Sequence, residues 1–375
     1  MIPREVFEES LLQFLEPVRH YLLDPTVSEV MINGPDQVFI ERYGRLEATE
    51  VRFASEAAVL TALRNAAQFV GKYIDDQNPI LEARLPDGSR VQGVIRPVAT
   101  TGPYMAIRRF FQASLTVERL IESGSLTESV AAALDAMVAS KLNILVAGGT
   151  GTGKTSLLNL LTSFVPQNER VCVIEDSKEV QVQHPHVFQM EARKADEEAG
   201  IAAVPIRDLF RASLRMRPDR IIIGEIRGGE ALDIIQAMVS GHGGCLGTLH
   251  ATYPRDTLTR LETMAMMSDV SMPLSALRLQ IASGVNVVVQ IARLNDGQRL
   301  VTHITEVAGH DAASGTYVLR DIFSREYFGV GADGLIRSTL RATGIVPAFE
   351  AHLREHGHAL PEEVYAVSRE AGSVH

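Results

Sequence analysis

Cysteine is nearly absent from this chain of 375 residues: Cys172 and Cys245 are the only two. A pair of thiols supports neither a disulfide framework nor a four-cysteine zinc site within one chain, and reads as two buried thiols in a reducing compartment. Long hydrophobic runs are missing as well. No stretch approaches the roughly 18 apolar residues of a spanning helix, and the opening MIPREVFEES lacks the basic segment and apolar run of an export signal. These absences lead to the expectation of a cytoplasmic protein whose membrane contact is peripheral. Positive charge is in short supply too: Lys plus Arg number 36 against 46 Asp plus Glu, a formal charge of -10, which gives no support to stable nucleic-acid binding. Tryptophan does not occur, and aromatic residues make up 6%.

What is present suffices for a sizeable core. Hydrophobic residues at 46% and charged residues at 22% are globular values, and the length corresponds to two or three domains. Phe7, Leu11, Phe14, Leu15, Val18 and Leu22 recur at three- and four-residue intervals, which predicts an amphipathic helix over residues 6–22, ending at Asp24-Pro25. SEVMING, QVFIERYG and ATEVRF are short β-rich runs punctuated by Asn33-Gly34-Pro35 and Gly44, the pattern of an antiparallel meander. A helix is expected over residues 56–70, then further strands over 83–110 around the turn Pro86-Asp87-Gly88. These last strands carry Arg84, Arg90, Arg96, Arg108 and Arg109, which taken alone read as a solvated strand face.

After a polar helical connector over residues 117–140 the pattern changes. NILVAG, VCVIE, RIIIG and CLGTLH are near-continuous apolar runs, as expected of parallel strands covered on both faces. Helical segments over 155–164, 229–239 and 255–267 alternate with them, which predicts a doubly wound α/β core. Strands return over 284–323 with turns at Asn295-Asp296-Gly297 and Ser314-Gly315, and a short polar tail with a helix over 348–356 closes the chain.

The strongest chemical signal is Gly148-Gly149-Thr150-Gly151-Thr152-Gly153-Lys154-Thr155, which matches G-x-x-x-x-G-K-[ST] after an apolar strand and before a helix; with the following Ser156 these residues are the expected nucleotide-binding set. Glycines let successive N–H groups point at phosphate oxygens, and the helix adds the positive end of its dipole. Lys154 is expected to reach the β- and γ-phosphates of ATP, and Thr155 to ligate Mg²⁺. Two strand ends downstream supply acids: Glu225 after RIIIG, and Glu175-Asp176 after VCVI. In a parallel sheet both lie at the same edge as the phosphate loop, so Glu175 is the candidate for polarising the attacking water and Glu225 for the Mg²⁺ shell, with the two roles exchangeable. His242 and His250 bracket a glycine-rich strand. They make a poor zinc pair, but beside a phosphate a histidine can hydrogen-bond the terminal phosphate and report its loss.

In this order the phosphate loop, VIED, IIIGEIRGGEA and GHGGCLGTLHA resemble the Walker A, Asp-box, Walker B and His-box segments of the secretion ATPases, which serve type II secretion, type IV pili, the Tad pilus and type IV secretion. SEVMINGPDQVFIERYGRL, LPDGSRV, SLRMRPDRIIIGEIRGGEALDIIQAM, HATYPRDTLTRLE and RATGIVPAF are most similar to the CpaF-type ATPase of the Tad pilus, over about residues 15–360. The two cysteines leave out the tetracysteine module of many pilus-extension relatives, and the histidine spacing differs from that of retraction ATPases. Many CpaF-type proteins also carry a longer N-terminal extension.

The resemblance implies an N-terminal α+β, PAS-like domain (residues 1–110), a connector (111–130), a RecA-like P-loop domain with a mostly parallel sheet (131–330) and a C-terminal tail (331–375). It further implies a homo-hexameric ring at the cytoplasmic face of the inner membrane, docked on pilus platform proteins. Arg96 and Arg108 would reach the phosphates, with Arg84, Arg90 and Arg109 as alternates, and Arg215, Arg217 and Arg227 could act between subunits. Hydrolysis would be converted to a hinge rotation near residues 110–117. Other readings remain open: a type IV secretion or conjugation ATPase, a RecA-like nucleic-acid translocase, and a nucleotide-gated binding module.

Overall fold

The computed structural model describes residues 11–85, 87–109, 116–195 and 200–366. The first residues of the helix expected from position 6, Pro86 of the predicted turn, positions 110–115 of the connector and the last residues of the tail lie outside them. The chain divides into two compact units, Met1–Ala113 and Ser114–His375.

The first unit is a six-stranded antiparallel sheet with one long helix. A short 3-10 turn (Glu16–Val18) and α1 (Arg19–Leu23) lead into β1 (Val27–Asn33), β2 (Val38–Arg42) and β3 (Arg45–Ala48); α2 (Glu56–Phe69) precedes β4 (Ile80–Arg84), β5 (Arg90–Val94) and β6 (Tyr104–Arg108). The strand order is β3-β2-β1-β6-β5-β4. The third strand lies earlier than ATEVRF suggests because Tyr43 and Gly44 both take positive φ (50° and 77°), a two-residue hairpin turn that pairs Arg42 with Arg45. Ser55 caps α2 by accepting from the Ala58 N–H, and Val59, Ala62, Leu63, Ala66 and Ala67 bury its apolar stripe on the sheet.

The second unit holds α3 (Val117–Glu122), α4 (Glu128–Ala139), β7 (Ile144–Gly148), α5 (Lys154–Ser163), β8 (Val171–Glu175), β9 (Val187–Glu191), α6 (Ile206–Ser213), β10 (Arg220–Ile223), α7 (Glu230–Val239), β11 (Leu246–His250), α8 (Pro254–Ala265), α9 (Leu274–Gly284), β12 (Val287–Arg293), β13 (Arg299–Asp311), β14 (Thr316–Val330), β15 (Ile336–Ala342) and α10 (Glu350–Glu355). Its nine-stranded sheet has the order β15-β14-β13-β12-β7-β11-β10-β8-β9. From β12 to β9 the strands run parallel, and β13, β14 and β15 extend the sheet antiparallel. Helices cover both faces. Val130, Leu134, Met137, Leu158 and Leu161 pack on one side with Ile144 and Val146, and Phe210, Ile235, Leu258, Leu261 and Ile281 on the other with Leu145 and Ala147. Continuous apolar strands are the sequence signature of that double cover.

Two expectations need adjusting. The segment read as a polar connector contains α4, whose Val130, Ala133, Leu134, Met137 and Val138 are fully buried in the second unit. Residues read as tail include β15, which pairs along β14. At the amino-terminal edge of the parallel strands Arg220 is fully buried, paired with Glu169 and donating to Val138 O (2.6 Å) and Ala139 O (3.3 Å). Gly244 (φ +81°) closes over this guanidinium.

Candidate functional site

The site lies at the carboxyl edge of the parallel strands of the second unit. Strand β7 runs straight into the phosphate loop. At Gly148 a Cβ would sit 2.5 Å from Ile291 O and 2.6 Å from Thr152 Oγ1, so only glycine lets β7 end flush against β12. Gly151 and Gly153 hold left-handed φ (68° and 97°), and Gly153 is the cap from which α5 starts. That alternation turns consecutive N–H groups toward one concavity at a helix N-terminus, the arrangement that binds phosphate. Thr152 Oγ1 and Lys154 Nζ both donate to Gly149 O (3.0 and 2.9 Å), which braces the loop and parks the lysine beside it.

From Lys154 a line of side chains crosses the edge. Its Nζ is 3.3 Å from His250 Nδ1, and His250 Nε2 is 3.0 Å from Glu225 Oε1. Arg227 Nη2 donates to Glu225 Oε2 (2.6 Å) and Nη1 to Asp176 Oδ2 (3.3 Å). Lysine can only donate, so the neutral imidazole protonated at Nε2 satisfies both neighbours. The electrostatics agree. Burial and the Lys154, Arg260 and Arg227 charges lower the His250 pKa against the pull of Glu225, which keeps the ring neutral. For Glu225, burial pushes upward, but the Arg227 hydrogen bond and the charges of Arg227 and Lys154 outweigh it and hold the carboxylate ionised, with the neutral His250 ring donating Nε2–H to Oε1. Glu230 at the start of α7 accepts from the Arg227 and Gly228 N–H groups (2.8 and 2.9 Å), fixing the loop that presents Arg227.

Glu175 is a different kind of acid. It is 3% exposed at the end of β8, and its Oε1 accepts from the N–H groups of Glu179 and Val180 (both 2.8 Å). Burial raises its pKa to about 7, against those two hydrogen bonds and with the help of the Glu179 and Glu191 charges. A carboxyl poised near neutrality can take a proton from water at physiological pH, which a fully ionised surface acid does poorly.

The structure thus brings Lys154, Glu225, His250 and the phosphate loop to one edge, with Glu175 at the neighbouring strand end. It does not bring His242 there. That histidine precedes β11, with its N–H on Ala237 O (3.1 Å), while His250 ends the same strand, so the two lie at opposite edges of the sheet. Cys245 and Cys172 are buried, and burial pushes both thiols up to about 12, leaving them inert. Glu179 was not anticipated. It receives a hydrogen bond from Thr155 Oγ1 (3.3 Å), and the only hint in the sequence is an acid four residues after Glu175. Both oxygens of Glu225 are engaged by Arg227 and His250, whereas the Glu179 carboxylate accepts from the Thr155 hydroxyl. No group of three or more metal-ligating side chains occurs among the described residues. Mg²⁺ accompanying a nucleotide does not need one, since it is held by one or two protein oxygens plus phosphates and water. The Thr155 hydroxyl beside a carboxylate meets that requirement.

The arginines of the first unit form a register row: Arg84 pairs with Arg90, Arg90 with Arg108, and Arg108 with Glu29. Arg96 is exposed and donates to Thr100 O (3.2 Å). Arg109 instead ties β6 to the α1–β1 loop through Asp24 O and Val27 O, a structural role. No described helix is long and apolar enough to cross a membrane.

A family model described as "Type II/IV secretion system protein" matches residues 13–318. The type IV secretion system protein VirB11 of Brucella suis is 33% identical over 323 residues, covering 78% of this chain and 88% of that protein. The conjugal transfer protein TrbB of Rhizobium radiobacter is 31% identical over 289 residues, covering 75% and 84%. Among solved structures, the Legionella pneumophila ATPase DotB superposes with a TM-score of 0.54 at 20% identity, over 77% of this chain and 79% of that one, a likeness of fold.

Proposed function

Because this chain belongs to the type II/IV secretion system protein family, we propose that it is a Mg²⁺-dependent ATP hydrolase that drives an export or pilus machine. The observation that carries the chemistry is the unbroken line from Lys154 through His250 and Glu225 to Arg227, set beside a glycine-shaped phosphate loop. ATP binds with its phosphates on the Gly148–Thr155 loop, where Lys154 exchanges the Gly149 carbonyl for phosphate oxygens. The Thr155 hydroxyl, with the Glu179 carboxylate beside it, would hold Mg²⁺, whose chemistry would be charge neutralisation on the phosphoryl oxygens. Glu175 accepts the proton of the attacking water. His250, neutral and tied to Glu225, donates toward the terminal phosphate and registers its departure. Catalysis is mainly positioning and electrostatics.

The machine is proposed at two levels. The resemblance of the chain to VirB11 and TrbB supports a type IV secretion or conjugal-transfer motor. The RATGIVPAF segment at residues 341–349 favours the Tad pilus instead. Either motor works as a homo-hexamer at the cytoplasmic face of the inner membrane, docked on membrane platform proteins, with arginines such as Arg96 and Arg108 completing the phosphate shell. The test is ATP turnover against protein concentration with light scattering in parallel, for the native chain, Glu175→Gln, Glu225→Gln and Arg108→Ala. Turnover that rises as rings assemble and is lost in all three, with ATP binding kept, supports the reading. Full activity in monomers, with Arg108→Ala silent, overturns the shared-site motor.

A further inference from the structure

Strand β12 contains one polar residue inside its buried run, Gln290, between Val287-Val288-Val289 and Ile291. Gln290 is 2% exposed, and its Oε1 is buried without a hydrogen-bond partner. Such an orphan acceptor carries an uncompensated desolvation penalty, so an apolar side chain would serve the core better. The other half of the amide explains why glutamine fits. Its Nε2 donates to Ala251 O (3.1 Å), the carbonyl immediately after His250. To do so it reaches from β12 past β7, where its register partner is Ala147, a residue small enough to leave the way open.

The backbone around Gln290 is shaped for this reach. The pairing of β12 with β13 slips between Gln290 and Ile291, so that Gln290 faces His303 while Ile291 faces Val301, and Thr302 is the extra residue. A bulge of this kind bends a strand and re-aims the side chain beside it. Thr302 Oγ1 donates to Gln290 O (3.4 Å). The backbone of Val301 is anchored elsewhere, its N–H on Ser125 Oγ (3.2 Å) and its carbonyl accepting from Arg325 Nε (2.7 Å). The next residue after Gln290 is the Ile291 against which Gly148 closes. Two consecutive residues of β12 therefore back the two halves of the site, Ile291 the phosphate loop and Gln290 the His250 turn.

We infer that Gln290 is a positioning residue: through the Ala251 carbonyl it holds the His250 ring between Lys154 and Glu225, where the terminal phosphate is sensed. This rests on the hydrolase reading for its consequence in turnover, but not for its consequence in structure. Without the amide, the segment after β11 loses its tie to β12, and the imidazole can turn away from Lys154 Nζ toward solvent.

The test uses the full chain carrying Gln290→Met, which keeps length and burial and removes the amide, and Gln290→Asn, which keeps the amide but cannot reach Ala251. The first readout is independent of activity: the titration of the His250 ring followed by NMR without nucleotide. The groups facing that ring are Lys154, Glu225, Arg227 and Arg260. Both variants should move the midpoint upward, toward that of a solvent-exposed imidazole, as the ring gains solvent and leaves Lys154. The second readout is steady-state ATP hydrolysis, in which kcat should fall roughly ten- to a hundredfold with KM within about twofold. The third is a double-mutant cycle with His250→Ala, in which the Gln290 loss should vanish once His250 is gone. Thermal midpoints should be unchanged, or raised in Gln290→Met. An unmoved His250 titration in both variants overturns the inference, as does a kcat loss that adds fully to that of His250→Ala. If the native chain hydrolyses no ATP, the hydrolase reading fails while the titration still decides this one.

Discussion

The two edges of the parallel sheet treat charge in opposite ways. At the amino-terminal edge Arg220 is fully buried, and its partners are Glu169 and the carbonyls of Val138 and Ala139. Beside it Asn143 is used on every side: Oδ1 accepts from Cys245 N–H (2.9 Å), Nδ2 donates to Gly284 O (2.6 Å), and the backbone N–H reaches Asn286 Oδ1 (2.8 Å). These partners are mostly main chain and cannot be exchanged without unfolding. At the carboxyl edge Lys154, His250, Glu225, Arg227 and Asp176 hold one another by side chains, and Glu175 sits at about 7. A side-chain partner, or the loop carbonyl of Gly149 that Lys154 also holds, can be given up for a phosphate without opening the core. Burial of charge alone marks nothing; exchangeable partners mark the working edge.

The contrast can be broken most severely at Lys154. Lys154→Ala should lower ATP turnover by about 10³-fold or more, measured by phosphate release, and leave the thermal midpoint unchanged. The opposite edge should respond in stability. Arg220→Ala leaves Glu169 with Lys141 as its ion-pair partner (3.2 Å) and empties the buried space of the guanidinium, and should cost about 3 kcal/mol or more in urea denaturation, with turnover per folded molecule kept; a large loss of kcat in the folded fraction would erase the distinction between the edges.

Glu175→Gln should affect both properties, in opposite directions. Gln retains an acceptor for the Glu179 and Val180 N–H groups but no base, so kcat should fall by about 10²-fold or more while nucleotide binding persists. Burial raises the folded-state pKa from 4.5 to about 7, so the folded state carries a penalty for the ionised acid that is absent below the unfolded pKa and complete above the folded one. The Gln variant should therefore be more stable than the native chain at pH 8, by up to about 3 kcal/mol, with the gain shrinking toward pH 5. The same titration predicts that native kcat declines as pH drops through about 7. The smallest effect is expected from His242→Ala, with turnover within about twofold and stability within about 1 kcal/mol; a strong catalytic loss there would place chemistry at the wrong edge.

How much of this could be read from residues alone depends on how local the cause is. The phosphate loop was legible because glycines, lysine and threonine at fixed spacing specify a backbone path over eight positions. The parallel strands were legible because two covered faces leave no polar alternation. β9 was not, since VFQME is a half-exposed edge strand with no continuous apolar run. His242 misled because proximity in a motif says nothing about which end of a strand a residue occupies. Gln290 and Glu179 could not be found by spacing, for their partners Ala251 and Thr155 are joined to them only by the fold. Arg325 is a similar case: inside the second unit it donates to Val301 O, Ser338 Oγ, Gly124 O and Ser125 O, partners scattered across the chain.

Gly244 has left-handed φ, and a Cβ on it would lie 2.6 Å from Arg220 Nη1. Every side chain is thus excluded twice, by backbone and by space. In a growth selection over all single substitutions, position 244 would be as empty of survivors as the glycines proposed to cradle phosphate. Its emptiness would record a loss of soluble protein, whereas theirs would record a full cellular complement of an inert enzyme. Measuring abundance beside growth would separate the two classes of glycine, and would show which part of the glycine-rich His-box segment is scaffold and which is machinery.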